Sequence, residues 1–178
     1  NKSISSELIP ILGSANNSKL LERVLKINNV KIIFHTAAYK HVPLVEKNPV
    51  SGVLNNVLTT LTICQKAIET KVNQVVLVST DKAVRPNNVM GASKRLAEII
   101  CQAFASEELK IKFKNKNYDP TLFSIVRFGN VLASSGSVVP LFKKQINNGG
   151  PITLTHKDIV RYFMTIKEAV QLILITST

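Results

Sequence analysis

The sequence predicts an α/β fold built on a doubly wound parallel sheet. Three observations carry that prediction. Strand-like and helix-like segments alternate along the chain. Residues 74–79 (QVVLVS) form an apolar strand dense enough to be covered on both faces. The segments between strands repeat apolar residues at helical spacing. With 178 residues, 45% of them hydrophobic, the chain is long enough for one domain with a sizeable core.

Taken in order, residues 9–12 are expected as a strand and 19–27 as a helix. Residues 31–36 (KIIFHT) form a β-branched and aromatic strand. Asn48-Pro49 reads as an N-cap followed by proline at the first helical position. From there Val53, Val57, Leu61, Cys64 and Ile68 mark a helix to about Thr70. After the central strand, a helix is expected over residues 90–105, with Leu96, Ile99, Ile100, Ala103 and Phe104 as its inward stripe. Residues 110–116 (KIKFKNK) then read as a solvated lysine-rich loop. Residues 122–128 (LFSIVRF) give a third strong strand, 138–148 a helix and 152–154 a brief strand. Thr165 and Glu168 form a capping box that opens a last helix through about Ile175.

The formal net charge of +12 admits nucleic acid, a membrane surface or a polyanionic ligand. Aromatic residues are only 6% and do not interleave with the lysines, which argues against a basic nucleic-acid-binding module. No apolar run reaches the roughly 18 to 20 residues of a membrane span. Cys64 and Cys101 sit among apolar residues on expected helices and read as buried free thiols in a reducing compartment. Neither a disulfide nor a metal site is expected from their spacing. A dinucleotide-binding domain ordinarily opens with a strand and a Gly-rich turn, but no G-x-G-x-x-G is present and Gly13 stands alone. The chain is therefore expected to lack the first β-α units and the C-terminal part of its fold.

In open α/β sheets ligands sit outside the carboxyl ends of the strands, so the residues after each strand are the candidates. The 31–36 strand is followed by Ala37, Ala38, Tyr39, Lys40 and His41: small residues that admit a close ligand, then polar reach. The 74–79 strand is followed by Thr80, Asp81 and Lys82, an unusual concentration of hydroxyl, carboxylate and amine at one tip. Beyond them Met90 and Lys94 are four apart and share a helical face. The alternative for the Thr80–Asp81 pair is plain helix capping.

Four segments, HTAAYKHVPLVEKNP, STDKAVRPNNVMGASKR, VRFGNVLASSGSVVPLF and VRYFMTIKEAVQL, resemble successive motifs of the UDP-N-acetylglucosamine 4,6-dehydratases. These are extended short-chain dehydrogenase/reductases with a Rossmann-like fold, used in polysaccharide and glycan synthesis. The resemblance implies NAD or NADP as cofactor and a UDP-sugar as substrate. Thr80 and Lys94 match the hydroxyl and lysine of the Ser/Thr-Tyr-x-x-x-Lys triad, and Asp81 with Lys82 the acid/base pair. Met90 stands where the triad has tyrosine, as in one branch of the family; its thioether cannot accept a proton. Thr36, Ala37, Ala38, Tyr39, Asn56 and Ser79 match cofactor-lining positions, as does Lys94. Lys40, His41, Arg127, Asn130, Ser135, Ser137 and Arg161 match the part that holds the nucleotide-sugar. Ser14 departs from the family's acidic residue after Gly13.

The implied reaction oxidises carbon 4 of the hexose, eliminates water across carbons 5 and 6, and reduces carbon 6. Lys82 is expected as base at carbon 5, Asp81 as acid toward the departing hydroxyl, and Thr80 as the exit for the carbon-4 hydroxyl proton. A lysine serves as base only if burial or a like charge such as Lys94 destabilises its ammonium, and Asp81 acts against that. A nucleotide-sugar 4-epimerase is the nearest rival, although it has no use for an elimination pair. An incomplete, inactive fragment is a further reading. Residues 1–135 are expected as part of the dinucleotide-binding core and 136–178 as the start of the nucleotide-sugar region. No metal, nucleic acid or membrane contact is expected of the chain. A homo-oligomer is, with a cytoplasmic location or, for a longer protein, the cytoplasmic face of the inner membrane.

Overall fold

The computed structural model describes residues 6–132, 138–154, 156–158 and 160–177. Three strands, β1 (Ile32–His35), β2 (Gln74–Thr80) and β3 (Leu122–Phe128), form a parallel sheet in the order β1-β2-β3. Its register aligns Ile32 with Gln74 and Gln74 with Leu122, and brings Thr80 opposite Phe128. Between β1 and β2 run α2 (Val42–Lys47) and α3 (Pro49–Glu69), and between β2 and β3 runs α4 (Val89–Lys114). Helix α1 (Ser18–Ile27) precedes the sheet. After it come β4 (Asn130–Val131), α5 (Val138–Asn147), β5 (Phe163–Met164) and α6 (Ile166–Thr176).

The strand residues Val75, Val76 and Leu77 are wholly buried, as their apolar run requires. Val75 packs with Leu25, Ile63, Ala67 and Val72, bringing α1 and α3 onto the sheet. Leu77 packs with Cys64, Ala97 and Cys101, bringing α3 and α4 onto the same face. Helix α6 touches β2 and β3, and Gln74 Nε2 donates to the Thr176 carbonyl at 2.9 Å. Its Thr165–Glu168 capping box forms as expected, and Asn17 caps α1 by accepting from Leu20 N–H.

Several elements depart from expectation. Residues 9–12 are exposed and form no strand, because the described residues offer no neighbouring strand to satisfy their backbone groups. Residues 152–154 form none either; Thr153 is tied instead to the Gln145 side chain, its N–H donating to Oε1 at 3.1 Å. The short α2 occupies what reads as loop, opening with Pro43 in its first turn. Asn48 precedes α3 but caps no N–H with its side chain; its Nδ2 donates back to the Leu44 carbonyl. Helix α4 runs on through the lysine-rich stretch, since Glu, Leu and Lys are good helix formers and Glu107 pairs with Lys110 at 2.6 Å. Its expected inward stripe holds at two of five positions. Ile100 and Phe104 do pack inward, but Leu96, Ile99 and Ala103 face outward, and the buried face carries Met90, Lys94, Ala97, Glu98 and Cys101.

Candidate active site at the carboxyl end of the sheet

Strand β2 ends in an extended Thr80, and the chain then turns through a short 3-10 segment, Asp81–Ala83. The turn brings three side chains into one hydrogen-bonded set. Thr80 Oγ1 donates to Asp81 Oδ1 at 2.9 Å, and Lys82 Nζ donates to the same oxygen at 3.0 Å. Lys82 Nζ also faces Asn130 Oδ1 at 3.5 Å. Partial burial alone would raise the Asp81 pKa, but hydrogen bonds from Lys82 and Thr80 and the Lys82 charge hold it below the usual value. Both side chains of the ion pair keep partial solvent access, 46% for Asp81 and 28% for Lys82.

Helix α4 comes to this turn at unusually close range. A Cβ on Gly91 would lie 2.3 Å from the Lys82 carbonyl oxygen, so only glycine permits the approach. Asn88 caps the helix, accepting from Gly91 N–H at 2.8 Å, and Glu46 of α2 accepts from Val89 N–H at 2.5 Å. A carboxylate at a helix N-terminus is favourable to the helix dipole. Met90 and Lys94 follow on the buried face, as their spacing predicts. Lys94 is 7% exposed and donates from Nζ to the Val78 carbonyl at 2.7 Å. Burial pushes its pKa down to about 8, with Glu98 opposing the shift.

The remaining predicted residues fall in distinguishable places. Thr36 and Ala37 line a cavity of about 200 Å³ with His35 and Ile63, whereas Ala38, Tyr39, Lys40 and His41 line one of about 530 Å³ beside α2. The expected cofactor-lining run therefore divides between two hollows. Asn56 is buried; its Oδ1 accepts from Tyr39 N–H at 2.7 Å while Nδ2 donates to the Tyr39 carbonyl and to Ser93 Oγ. Ser93 Oγ in turn donates to the Met90 carbonyl at 2.7 Å. Asn56 thus holds the 38–41 segment against the helix bearing Met90. Ser79 is buried one residue before Thr80.

Arg127 is committed to Glu98 of α4, through Nε to Oε1 at 2.8 Å and Nη2 to Oε2 at 2.6 Å. Asn130 is drawn to the site by β4 pairing in parallel with β5, and its N–H donates to the Tyr162 carbonyl at 3.0 Å. That pairing brings the exposed Arg161, next to Tyr162, to the same end. Ser135 and Ser137 lie outside the described residues. Sequence reasoning missed Glu98, Gly91, Ser93 and Glu46. Glu98 alone left a signal: a carboxylate four residues past Lys94 in an otherwise apolar stripe. It also missed that packing makes Cys64 and Cys101 neighbours, with Sγ atoms 3.9 Å apart. Both are free and buried, as expected.

Residues 1–178 match the family model described as polysaccharide biosynthesis protein. The chain belongs to that family. Capsular polysaccharide biosynthesis protein CapD of Staphylococcus aureus is 45% identical over 168 residues, which is 94% of this chain and 26% of CapD. The UDP-glucose 4-epimerase of Rickettsia canadensis is 38% identical over 92% of this chain and 45% of its own length. Among solved structures, Pen from Bacillus thuringiensis superposes with a TM-score of 0.81 at 35% identity, over 94% of this chain and 50% of that one. The dTDP-glucose 4,6-dehydratase DesIV of Streptomyces venezuelae, solved with NAD bound, superposes with a TM-score of 0.74 over 89% of this chain and 51% of DesIV. At 24% identity that likeness shows the fold alone. The chain thus spans a quarter to a half of the relatives it matches. Its sheet is part of the Rossmann-like fold of extended short-chain dehydrogenase/reductases, and family relatives are polysaccharide-biosynthesis proteins and nucleotide-sugar enzymes.

Proposed function

We propose that the chain forms the catalytic part of an NAD(P)-dependent 4,6-dehydratase that converts a UDP-N-acetylhexosamine, UDP-N-acetylglucosamine first of all, to a 4-keto-6-deoxy sugar. The observation that carries this reading is the set made by Thr80, Asp81 and Lys82 at the tip of β2, facing Asn130. A carboxylate and an amine sharing one hydrogen bond can take a proton from one carbon and give one to the neighbouring oxygen. An epimerase needs no such pair.

The donor set suits a nicotinamide cofactor. Lys94 puts a buried ammonium one helical turn from Met90, and the 36–39 segment leaves the sheet through two small alanines. In this reading Lys94, Thr36, Ala37, Ala38 and Tyr39 hold NAD or NADP, and the nicotinamide supplies hydride acceptance at carbon 4 and its return at carbon 6. Thr80 passes the carbon-4 hydroxyl proton outward, a task Met90 has no atom for. Lys82 first passes its proton to Asp81 across their shared hydrogen bond. The neutral amine then takes the proton from carbon 5 while the Asp81 carboxyl protonates the hydroxyl leaving carbon 6, which returns the pair to its ionised form. Lys40, His41, Asn130, Ser135, Ser137 and Arg161 serve the nucleotide-sugar, with Arg127 reached through its pair with Glu98. Residues 1–135 then belong to the dinucleotide-binding core and 136–178 to the start of the sugar-binding region.

Replacing Lys82 with Met in the full-length protein is expected to abolish exchange of the carbon-5 hydrogen with solvent. Continued exchange assigns the base elsewhere. A 4-epimerase remains the second reading because relatives bearing that description align over most of the chain. It predicts a product isomeric with the substrate, whereas dehydration predicts loss of one water.

The exposed face of α3 and α4 supports association of two copies. Residues 49–65 contain no charged side chain, yet Leu54 and Leu58 are exposed there, and Leu96 and Ile99 are exposed on α4, which packs on α3. An uncharged helix face on a chain of +12 is poorly suited to water. A helix of 21 residues beside a second gives roughly 600 Å² per copy, close to the ~800 Å² per partner of stable complexes. Leu58→Arg is expected to turn a sedimenting dimer into monomers; a monomeric unsubstituted protein contradicts this. Among the described residues no helix is long and apolar enough to cross a membrane, and a cytoplasmic site of action goes with the reducing environment proposed for the free thiols.

A further inference from the structure

A carboxylate with no solvent exposure sits at the centre of α4, where the proposed chemistry assigns it no task. Glu98 accepts two hydrogen bonds from Arg127 of β3 and one from Arg95 Nη1 at 2.8 Å. It follows Lys94 by four residues, so the two charges share one helical face. Arg127 in turn lies three residues before Asn130, which faces Lys82. The carboxylate therefore stands between the two halves of the site, Lys94 on its own helix and the β3–β4 exit across from it. Only Glu98 is taken fully out of water, its Arg127 and Arg95 partners keeping 43% and 38% exposure, and a buried carboxylate costs more than an apolar residue of its size unless charged groups meet it. Its presence on the buried face of α4 points to a use beyond holding the fold.

We infer that Glu98 is a positioning residue, a buried counter-charge that keeps the Lys94 ammonium charged and, through Arg127, aligns the Asn130 exit with α4. The groups around Lys94 make this specific. Glu98 and Cys101 face it from α4, His35 from β1, the Val78 carbonyl from β2 and Arg127 from β3 beyond Glu98; Cys64 of α3 lies behind Cys101. Among these Glu98 supplies the anion. Its own pKa would be raised by burial, but the hydrogen bonds from Arg127 and Arg95 hold it down to about 2, so it stays charged across the working range.

Because Arg127 draws on the same carboxylate, removing either partner moves Lys94 in opposite directions. Glu98→Gln takes away the anion, and the Lys94 titration midpoint falls by about one pH unit. Arg127→Gln leaves the anion with Arg95 alone, and the midpoint rises; Arg127→Lys, which keeps the charge, leaves it near its original position. The measurement is the pH titration of the Lys94 side-chain ¹³Cε resonance in the lysine-labelled protein, assigned with Lys94→Arg. Opposite movements support the inference. Movements of the same sign, or none in variants whose circular dichroism matches the parent, overturn it. If Glu98→Gln does not fold, a rise in Arg127→Gln with none in Arg127→Lys carries the same decision. The inference rests on the proposed function only for what Lys94 does, and the titration reads no turnover, so failure of one is distinguishable from failure of the other.

Discussion

Acidification is expected to unfold the protein through His35, and the structure gives the size of the effect. His35 is 3% exposed, and its Nε2 lies 2.9 Å from Thr60 Oγ1. The Thr60 hydroxyl already donates to the Asn56 carbonyl, so its oxygen accepts here and Nε2 carries the proton. Nδ1 is buried without a partner. Protonating it creates an unmatched N–H and a second cation near Lys94, and burial with that charge lowers the pKa from 6.5 to about 4. The unfolded chain binds the proton below about pH 6.5 and the folded one only below about 4. Stability is therefore intact above the first value and falls through that window, by about 3 kcal/mol in all. The comparison is urea denaturation of the parent and of His35→Gln, which keeps a donor for Thr60 but does not titrate. Carboxylates contribute equally to both and cancel in the difference. The gap between the two is expected to narrow or invert by about 3 kcal/mol from pH 7 to 4. A constant gap refutes the reasoning.

Two further outcomes follow from the site. Thr80→Val in the full-length protein removes the hydroxyl proposed to carry the carbon-4 proton and is expected to lower kcat about 100- to 10,000-fold; unchanged turnover excludes Thr80 from that path. Gly91→Ala places a Cβ against the Lys82 carbonyl and must push α4 or the turn aside. A displacement near 1 Å is expected to cost about 100-fold in kcat/KM, with the sheet intact by circular dichroism. Unchanged kcat/KM shows that the close approach serves packing alone.

The sheet was legible because an apolar run such as 74–79 has few alternatives to a buried strand, and the Thr165–Glu168 box announces its helix by local hydrogen bonding alone. The tip of β2 was legible for a related reason: ligands gather at strand ends, and Thr80, Asp81 and Lys82 are adjacent in sequence. What stayed hidden depends on contacts distant along the chain. The outward turn of Leu96 and Ile99 could not be read from spacing, because apolar residues line both faces of α4 and only the position of α3 chooses between them. Nothing local reveals that Arg127, expected at the nucleotide-sugar, also pairs with Glu98, 29 residues earlier. The β4–β5 pairing that carries Asn130 joins two-residue strands more than 30 residues apart, too short to leave a periodic trace. Residues 9–12 carry the reverse lesson: strand-like composition makes no strand without a neighbour.

The central claim is that Asp81 and Lys82 eliminate water from an oxidised hexose. Its most direct test is to incubate the full-length protein with UDP-N-acetylglucosamine and cofactor in deuterated water and to analyse the sugar by mass spectrometry and NMR. A product lighter by one water and carrying deuterium at carbon 5 is predicted. A product of unchanged formula, inverted at carbon 4 and without deuterium at carbon 5, contradicts it.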